Sequence, residues 1–315
     1  VRLRSSASAY LNRTFGTPTS AYKWTLSSWI KRGVTRSNDS IMGYTVGSGD
    51  TDNIVIRFLS DQLSIVGGTT QWRVTTQVFR DPSAWYHLVI AVDTTQATAA
   101  NRILIYVNGV QITAFGTSNN PTQNSAIGIN TAGATTIGLY STTYFDGYMT
   151  EINFVDGQQL TPSSFGQTNS VTGVWQPAKY TGTYGANGFY LNFSDNSAAT
   201  AAAIGKDYSG NGNNWTPNNI SVTAGVTYDS MIDVPTNYAD GSTGRGNYAV
   251  LNPLDKNSNL NLSNGNLTAI PANTSDYYLG RASMAFPATG KYYWELTLNN
   301  TPVSYTHLRA HETLR

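Results

Sequence analysis

Retaining glycoside hydrolysis needs two carboxylates about 5–5.5 Å apart, one as nucleophile and one as acid. Residues two apart on a strand share a face and can reach that spacing. The nearest approach here is Glu151-Ile-Asn-Phe-Val-Asp156, where Asn153 stands in place of a second acid. Asp146 and Glu151 form the other conceivable pair, but an odd separation puts them on opposite faces of a regular strand. His87 sits between Tyr86 and Leu88, and the remaining histidines, His307 and His311, lie near the C-terminus. Serine-hydrolase or metal chemistry would need partners for it, so His87 reads as a packed or surface-facing strand residue. Gly67-Gly68 is followed neither by a helix nor by Gly-Lys-Ser/Thr, so it is no phosphate loop. These residues predict no catalytic centre.

The elements that carry them are strands. The 315 residues suggest about two domains at ~150 residues each. Charged residues make up 12%, against ~25% in an average soluble domain, and aromatics also reach 12%. Cysteine is absent, which excludes a disulfide framework and a cysteine zinc site. A net charge of +1 gives no electrostatic footprint for nucleic acid or an anionic membrane. The longest purely apolar run, Leu88 to Val92, is far short of the ~20 residues that span a bilayer.

Val, Ile, Thr, Tyr and Trp cluster in short runs between Gly, Asn, Asp and Pro, the pattern of an all-β chain. Trp24 to Ile30 is one such run. Ile54, Ile56 and Phe58 alternate with Val55 and Arg57, as in a half-buried strand. Leu59 to Gln62 reads as a turn. Trp85 to Asp93 is apolar on both faces, which suits a central strand. Ile103 to Val107 runs into Asn108-Gly109, a hairpin signal because both residues tolerate positive φ. Thr161-Pro162 predicts a single helical turn, and Ala198 to Ala203 a loop. Residues 206–247 are Asn- and Gly-rich and aperiodic, a connector whose aromatics (Tyr208, Trp215 and Tyr238) pin it against a domain. A second β region begins near Tyr248, with Gly290 to Leu298 as its clearest strand.

Four segments in order resemble the concanavalin A-like lectin/glucanase superfamily, and within it the laminin-G-like jelly roll. They are Lys23-Trp-Thr-Leu-Ser-Ser-Trp-Ile-Lys31, Trp85-Tyr-His-Leu-Val-Ile-Ala-Val92, Ile105-Tyr-Val-Asn-Gly-Val110 and Phe145-Asp-Gly-Tyr-Met-Thr-Glu-Ile-Asn-Phe154. The resemblance implies an antiparallel jelly-roll β-sandwich over residues 1–205. Glucanase relatives carry a Glu-x-Asp-x-x-Glu motif that is missing here, and Glu151 resembles the structural acid of laminin-G-like strands. Asp207-Tyr-Ser-Gly-Asn-Gly-Asn-Asn-Trp215 is similar to a phrase from bacteriophage structural proteins. Gly290-Lys-Tyr-Tyr-Trp-Glu-Leu296 resembles the opening strand of a SPRY domain, making residues 248–303 an incomplete second sandwich. Residues 304–315 resemble a translated sequencing adapter, and the chain reads as a fragment. Setting that tail aside removes Arg309, Glu312 and Arg315 and brings the net charge to zero.

The resemblance also implies ligands. Relatives bind calcium at the sandwich rim through loop oxygens, and Ca²⁺ takes six to eight of them. Asp93, Asn108 and Asp146, at strand ends, are the candidates, with Asp50, Asp52 and Asn53 as a second acidic loop. Sugar binding by this fold pairs an aromatic platform with amide contacts. Tyr140 and Tyr144 are the foremost candidates, with Tyr44 and Trp72 after them. The expectation is a non-enzymatic binding or structural module of a phage virion, in a tail or appendage. Its partners would be cell-surface glycans or other virion proteins. A divergent glycoside hydrolase and a secreted bacterial adhesion protein are the alternatives.

Overall fold

A computed structural model describes residues 1–170, 173–238, 245–263, 266–273 and 277–283. In chain order, β1 (Arg2–Leu3), β2 (Tyr10–Phe15), β3 (Lys23–Arg32), β4 (Asn38–Thr45), β5 (Asn53–Leu59) and β6 (Gln62–Gly67) come first. Next are β7 (Thr70–Val78), β8 (Tyr86–Asp93), β9 (Ile103–Val107), β10 (Val110–Gln111), β11 (Phe115–Ser118) and β12 (Gly133–Ile137). Then follow β13 (Leu139–Tyr140), β14 (Thr143–Tyr144), β15 (Gly147–Asp156), β16 (Gly166–Thr168), β17 (Trp175–Pro177), β18 (Phe189–Leu191) and β19 (Thr216–Asn218).

Two antiparallel sheets make the sandwich. One is seven-stranded, ordered β1-β15-β3-β8-β9-β10, with β18 also pairing β15. The other is eight-stranded, ordered β11-β7-β6-β5-β4-β12-β2-β19. Side chains alternate across a strand, so Ile54, Ile56 and Phe58 of β5 enter the core with Trp24, Leu26 and Ile30 of β3. Rings close the gap between the sheets: Phe15 of β2 lies 5.5 Å from Phe154 of β15. This is the jelly-roll sandwich expected from the sequence.

Local chemistry fixes the corners. Asn108 and Gly109, at φ 49° and 83°, form the tight turn that joins β9 to β10. Ser60 and Asp61 both take positive φ and return β5 into β6. Pro162–Ser164 is a single 3₁₀ turn, while residues 198–203 form turns without a helix. Arg32, fully buried, reaches from β3 to Asp39 on β4 at 2.7 Å and to Asp61 at 2.8 Å, tying the sheets together.

The segment after residue 205 is part of the packing. Trp215 is fully buried beside Phe15 and Phe189, and β19 pairs with β2. Asp229 is buried and takes Arg2 at 3.0 Å and Arg4 at 2.7 Å. Farther on, β20 (Leu251–Lys256) pairs β23 (Gly280–Ala282), and β21 (Leu260–Ser263) pairs β22 (Thr268–Pro271). These two ladders leave Leu254, Ile270 and Leu279 exposed. The Gly290 to Leu298 strand and the 304–315 tail lie outside the described residues. Among the described residues, no helix is long and apolar enough to cross a membrane.

Candidate functional site

The two outer faces of the sandwich differ. That of the seven-stranded sheet is covered. Phe165, Tyr184 and Tyr190 pack with Val89 and Val155 in a second apolar cluster. That of the eight-stranded sheet carries a polar and aromatic surface.

On that open face, Ile54, Ile56 and Phe58 are committed to the core, so Val55 and Arg57 point outward. The register sets Asn12, Thr136, Gly43 and Val55 in one row across β2, β12, β4 and β5. The β13–β14 hairpin folds over this row. Gly43 permits the approach: a Cβ there would stand 2.6 Å from the Leu139 carbonyl oxygen and 3.1 Å from the Tyr140 Cβ. Thr143 Oγ1 holds the hairpin to Ser40 Oγ of β4 at 2.8 Å. Tyr140 hydrogen-bonds Asn53 Oδ1 through its hydroxyl, so its ring lies along the sheet. Tyr144 meets Tyr10 with ring centroids 6.2 Å apart. All three tyrosines are half-buried. Asn218 of β19 donates to Asn12 Oδ1 at 2.7 Å. Burial draws the Arg57 guanidinium below its ordinary value, and the Tyr140 phenol acts against that shift.

Tyr140 and Tyr144 thus both lie on the hairpin over the eight-stranded sheet, Tyr140 toward β5 and Tyr144 toward β2. Tyr44 and Trp72 do not join them, contrary to the sequence expectation. Tyr44 lies on β4, not in a loop, and is 2% exposed; its hydroxyl donates to the Ala132 carbonyl at 3.0 Å. Trp72 is 3% exposed and packs in the core over Gly67, where a Cβ would stand 2.6 Å from its ring. Trp85, just before β8, is half-buried, with the Lys31 ammonium 5.1 Å from its ring centroid. Tyr10, Asn12 and Arg57 were missed as site residues. Arg57 could have been read from its place opposite the Ile54, Ile56 and Phe58 face.

The three calcium candidates do not converge. Asp93 and Asn108 lie at opposite ends of β8, about 20 Å apart at ~3.3 Å per residue. Asp93 accepts from Thr95 and Gln96 and pairs with Lys23 at 3.3 Å; these donors hold its carboxyl below the usual range despite burial. Asn108 accepts the His87 backbone N–H at 2.8 Å. Asp146 accepts from the Ser5 backbone at 3.1 Å and its hydroxyl at 2.5 Å. Asp50, in the β4–β5 loop, accepts from the Thr69 N–H of the β6–β7 turn at 3.2 Å. Among the described residues, no group of three or more His, Asp or Glu is placed to hold a metal.

Glu151 sits on the covered side. It takes φ 50° where the β15–β3 ladder shifts register between Thr150 and Asn153. Its carboxyl is buried and receives Tyr190 and Thr236 hydroxyls at 2.7 Å each, and that of Tyr238. Burial raises its pKa above the ordinary glutamate value, while the hydroxyl donors oppose the shift. Asn153 accepts from the Tyr184 hydroxyl at 2.6 Å. Asp146 and Glu151 are therefore engaged in separate networks.

His87 is fully buried between two indoles, 4.9 Å from Trp29 and 5.9 Å from Trp175. The Trp175 indole N–H donates to Nδ1 at 2.9 Å. Nε2 must then carry the ring proton and donate to Ser27 Oγ at 2.8 Å. Burial lowers the imidazole pKa to about 3. A histidine in that tautomer cannot take a proton from Ser27, so the pair forms no nucleophile–base couple.

A family model of the concanavalin A-like lectin/glucanases superfamily matches residues 5–166. Among curated proteins, none matches the sequence. A Bacteroides ovatus protein assigned to carbohydrate binding is 18% identical, with a TM-score of 0.43 over 69% of this chain and 57% of that one. The chain thus spans little more than half the length of that relative. A pentraxin from Limulus polyphemus is 16% identical, with a TM-score of 0.36 over 49% of this chain and 71% of that one. Domain 4 of an extracellular arabinanase from Geobacillus stearothermophilus, solved with arabinotriose, is 17% identical, with a TM-score of 0.32 over 47% and 65%. The family match covers just over half of the chain, and the protein belongs to the concanavalin A-like lectin/glucanase superfamily.

Proposed function

We propose that the chain is a non-enzymatic carbohydrate-binding module, with the outer face of the eight-stranded sheet as its contact surface. The observation that carries this reading is the β13–β14 hairpin on this face, which brings Tyr144 against Tyr10 of β2 and Tyr140 against Asn53 of β5. A pyranose offers apolar C–H faces to aromatic rings and hydroxyls to amides. The non-enzymatic part rests on Glu151 being buried under Thr236 and Tyr238, away from that face. We place the module in a phage tail or appendage that contacts cell-surface glycans. That part rests on the likeness of the Asp207 to Trp215 segment to bacteriophage structural proteins.

A glycan array probed with the full chain, with and without added calcium, tests the binding. The expected result is retention on a subset of polysaccharides, weakened about tenfold, or ~1.4 kcal/mol, by Tyr140→Ala or Tyr144→Ala. Retention on none would overturn it. Hydrolysis of a retained polysaccharide that survives in Tyr140→Ala and disappears in Glu151→Gln would overturn the non-enzymatic part. Capsid and tail genes beside the coding sequence are the expected neighbourhood, and genes of a secretion operon there would remove the phage placement.

A further inference from the structure

Arg57 differs from every other described arginine. Arg2 and Arg4 are held by Asp229, Arg32 by Asp39 and Asp61, Arg80 by Asp61 and Arg281 by Asp255. Arg13, Arg36, Arg73 and Arg102 donate to carbonyl, amide or hydroxyl oxygens, and Arg245 is likewise engaged. Among the described residues the Arg57 side chain has no hydrogen-bond or ion-pair partner, and its Nε is buried without an acceptor. Its cross-strand neighbours on the open face are Ser40 and Ser64. The Ser64 hydroxyl is also buried and unpartnered.

A half-buried guanidinium without an acceptor loses hydration and receives nothing in return. Burial lowers its pKa, but an arginine stays protonated at neutral pH. The position is therefore a fixed positive charge with five N–H donors in a planar fork, the shape that pairs two-pronged with a carboxylate. Its neighbours on the face are Tyr140 and the two serines, none of which is a carboxylate.

We infer that this face takes an acidic sugar, whose carboxylate pairs with the Arg57 guanidinium while the sugar rings lie against Tyr140 and Tyr144. The inference rests on the carbohydrate-binding reading of the same face. It adds the ligand class. A sulfate ester offers similar charge in a different geometry, so the test separates the two.

Binding of the full chain is measured by calorimetry against paired probes: oligogalacturonate and its methyl ester, sialyllactose and lactose, and a sulfated against an unsulfated galactan. The expected result is at least tenfold tighter binding of one carboxylated probe than of its neutral partner. The preference shrinks as salt rises, disappears in Arg57→Gln and survives in part in Arg57→Lys. Equal binding of charged and neutral partners would sink the acidic-sugar inference and leave the carbohydrate reading standing. No binding of any probe, neutral ones included, would remove both. A preference confined to the sulfated galactan would overturn the carboxylate, and one that persists in Arg57→Gln would overturn Arg57 as its partner. Should Arg57→Gln not fold, the wild-type ratio and the Arg57→Lys value decide.

Discussion

The Tyr190 hydroxyl donates to Glu151 Oε2 at 2.7 Å, and Thr236 donates to Oε1 of the same carboxyl at 2.7 Å. The two donors lie on either side of the acid in a network closed off from solvent, which makes Glu151 a fastener between β15 and the 234–238 segment.

Glu151→Ala is expected to cost about 3 kcal/mol, because three hydroxyls lose their acceptor in a buried place. Glu151→Gln keeps an acceptor oxygen and is expected to cost clearly less. The folded pKa of Glu151 lies above its unfolded value. The native state therefore holds this proton more tightly, and the contribution to stability declines as pH rises above the unfolded pKa. Urea unfolding of wild type and Glu151→Gln between pH 4 and pH 8 checks this: the wild-type curve should fall relative to the variant with rising pH.

His87 has the opposite sign. Its pKa of about 3 lies below the ordinary 6.5. The unfolded chain takes up the proton first on acidification, so stability is full above pH 6.5 and declines toward pH 3. Between pH 7 and pH 5 the loss is on the order of 2 kcal/mol. Nitrogen NMR of the imidazole at pH 5 should show a neutral ring protonated at Nε2. A cationic ring there would contradict the Trp175–His87–Ser27 arrangement.

Arg32→Met is expected to destabilise by about 3–5 kcal/mol, since Asp39 is left charged and buried. Burial already pushes the Asp39 carboxyl upward against the pull of Arg32. Adding Asp39→Asn should recover a large part of the loss. Denaturant midpoints of the two single variants and the double variant give the coupling directly.

Gly43→Ala should act on binding more than on folding. Its Cβ would press on the Leu139 carbonyl and lift the β13–β14 hairpin off the sheet. Glycan affinity is expected to fall about tenfold, with only a small change in melting temperature. A variant that binds as well as wild type would show that the hairpin plays no part in the contact.

Much of the fold could be read from local pattern. β8 is apolar on both faces, and its burial on both followed. Asn108-Gly109 named its own turn. Tyr140 and Tyr144, which flank Ser-Thr-Thr, lie on a short hairpin outside the core strands. Parity failed elsewhere for physical reasons. The ladder slips between Ile65 and Val66, and Trp72 turns into the core over Gly67. Tyr44 follows the inward register of Met42 on β4, a strand with weak alternation in its sequence. The Glu151 network joins residues 39, 85 and 87 positions apart, a distance no local motif spans. The 206–238 segment lacks periodicity because it contributes one short edge strand and single anchors such as Trp215 and Asp229.

The unlike treatment of the two outer faces has a consequence for engineering. Substitutions at an exposed position such as Thr14 touch the open sheet. Ser27, Asn153 and His87, under the other sheet, are each fixed by a partner from a distant segment. A library randomised on the open face should therefore yield folded members with altered ligand preference, so the molecule can serve as a retargetable scaffold.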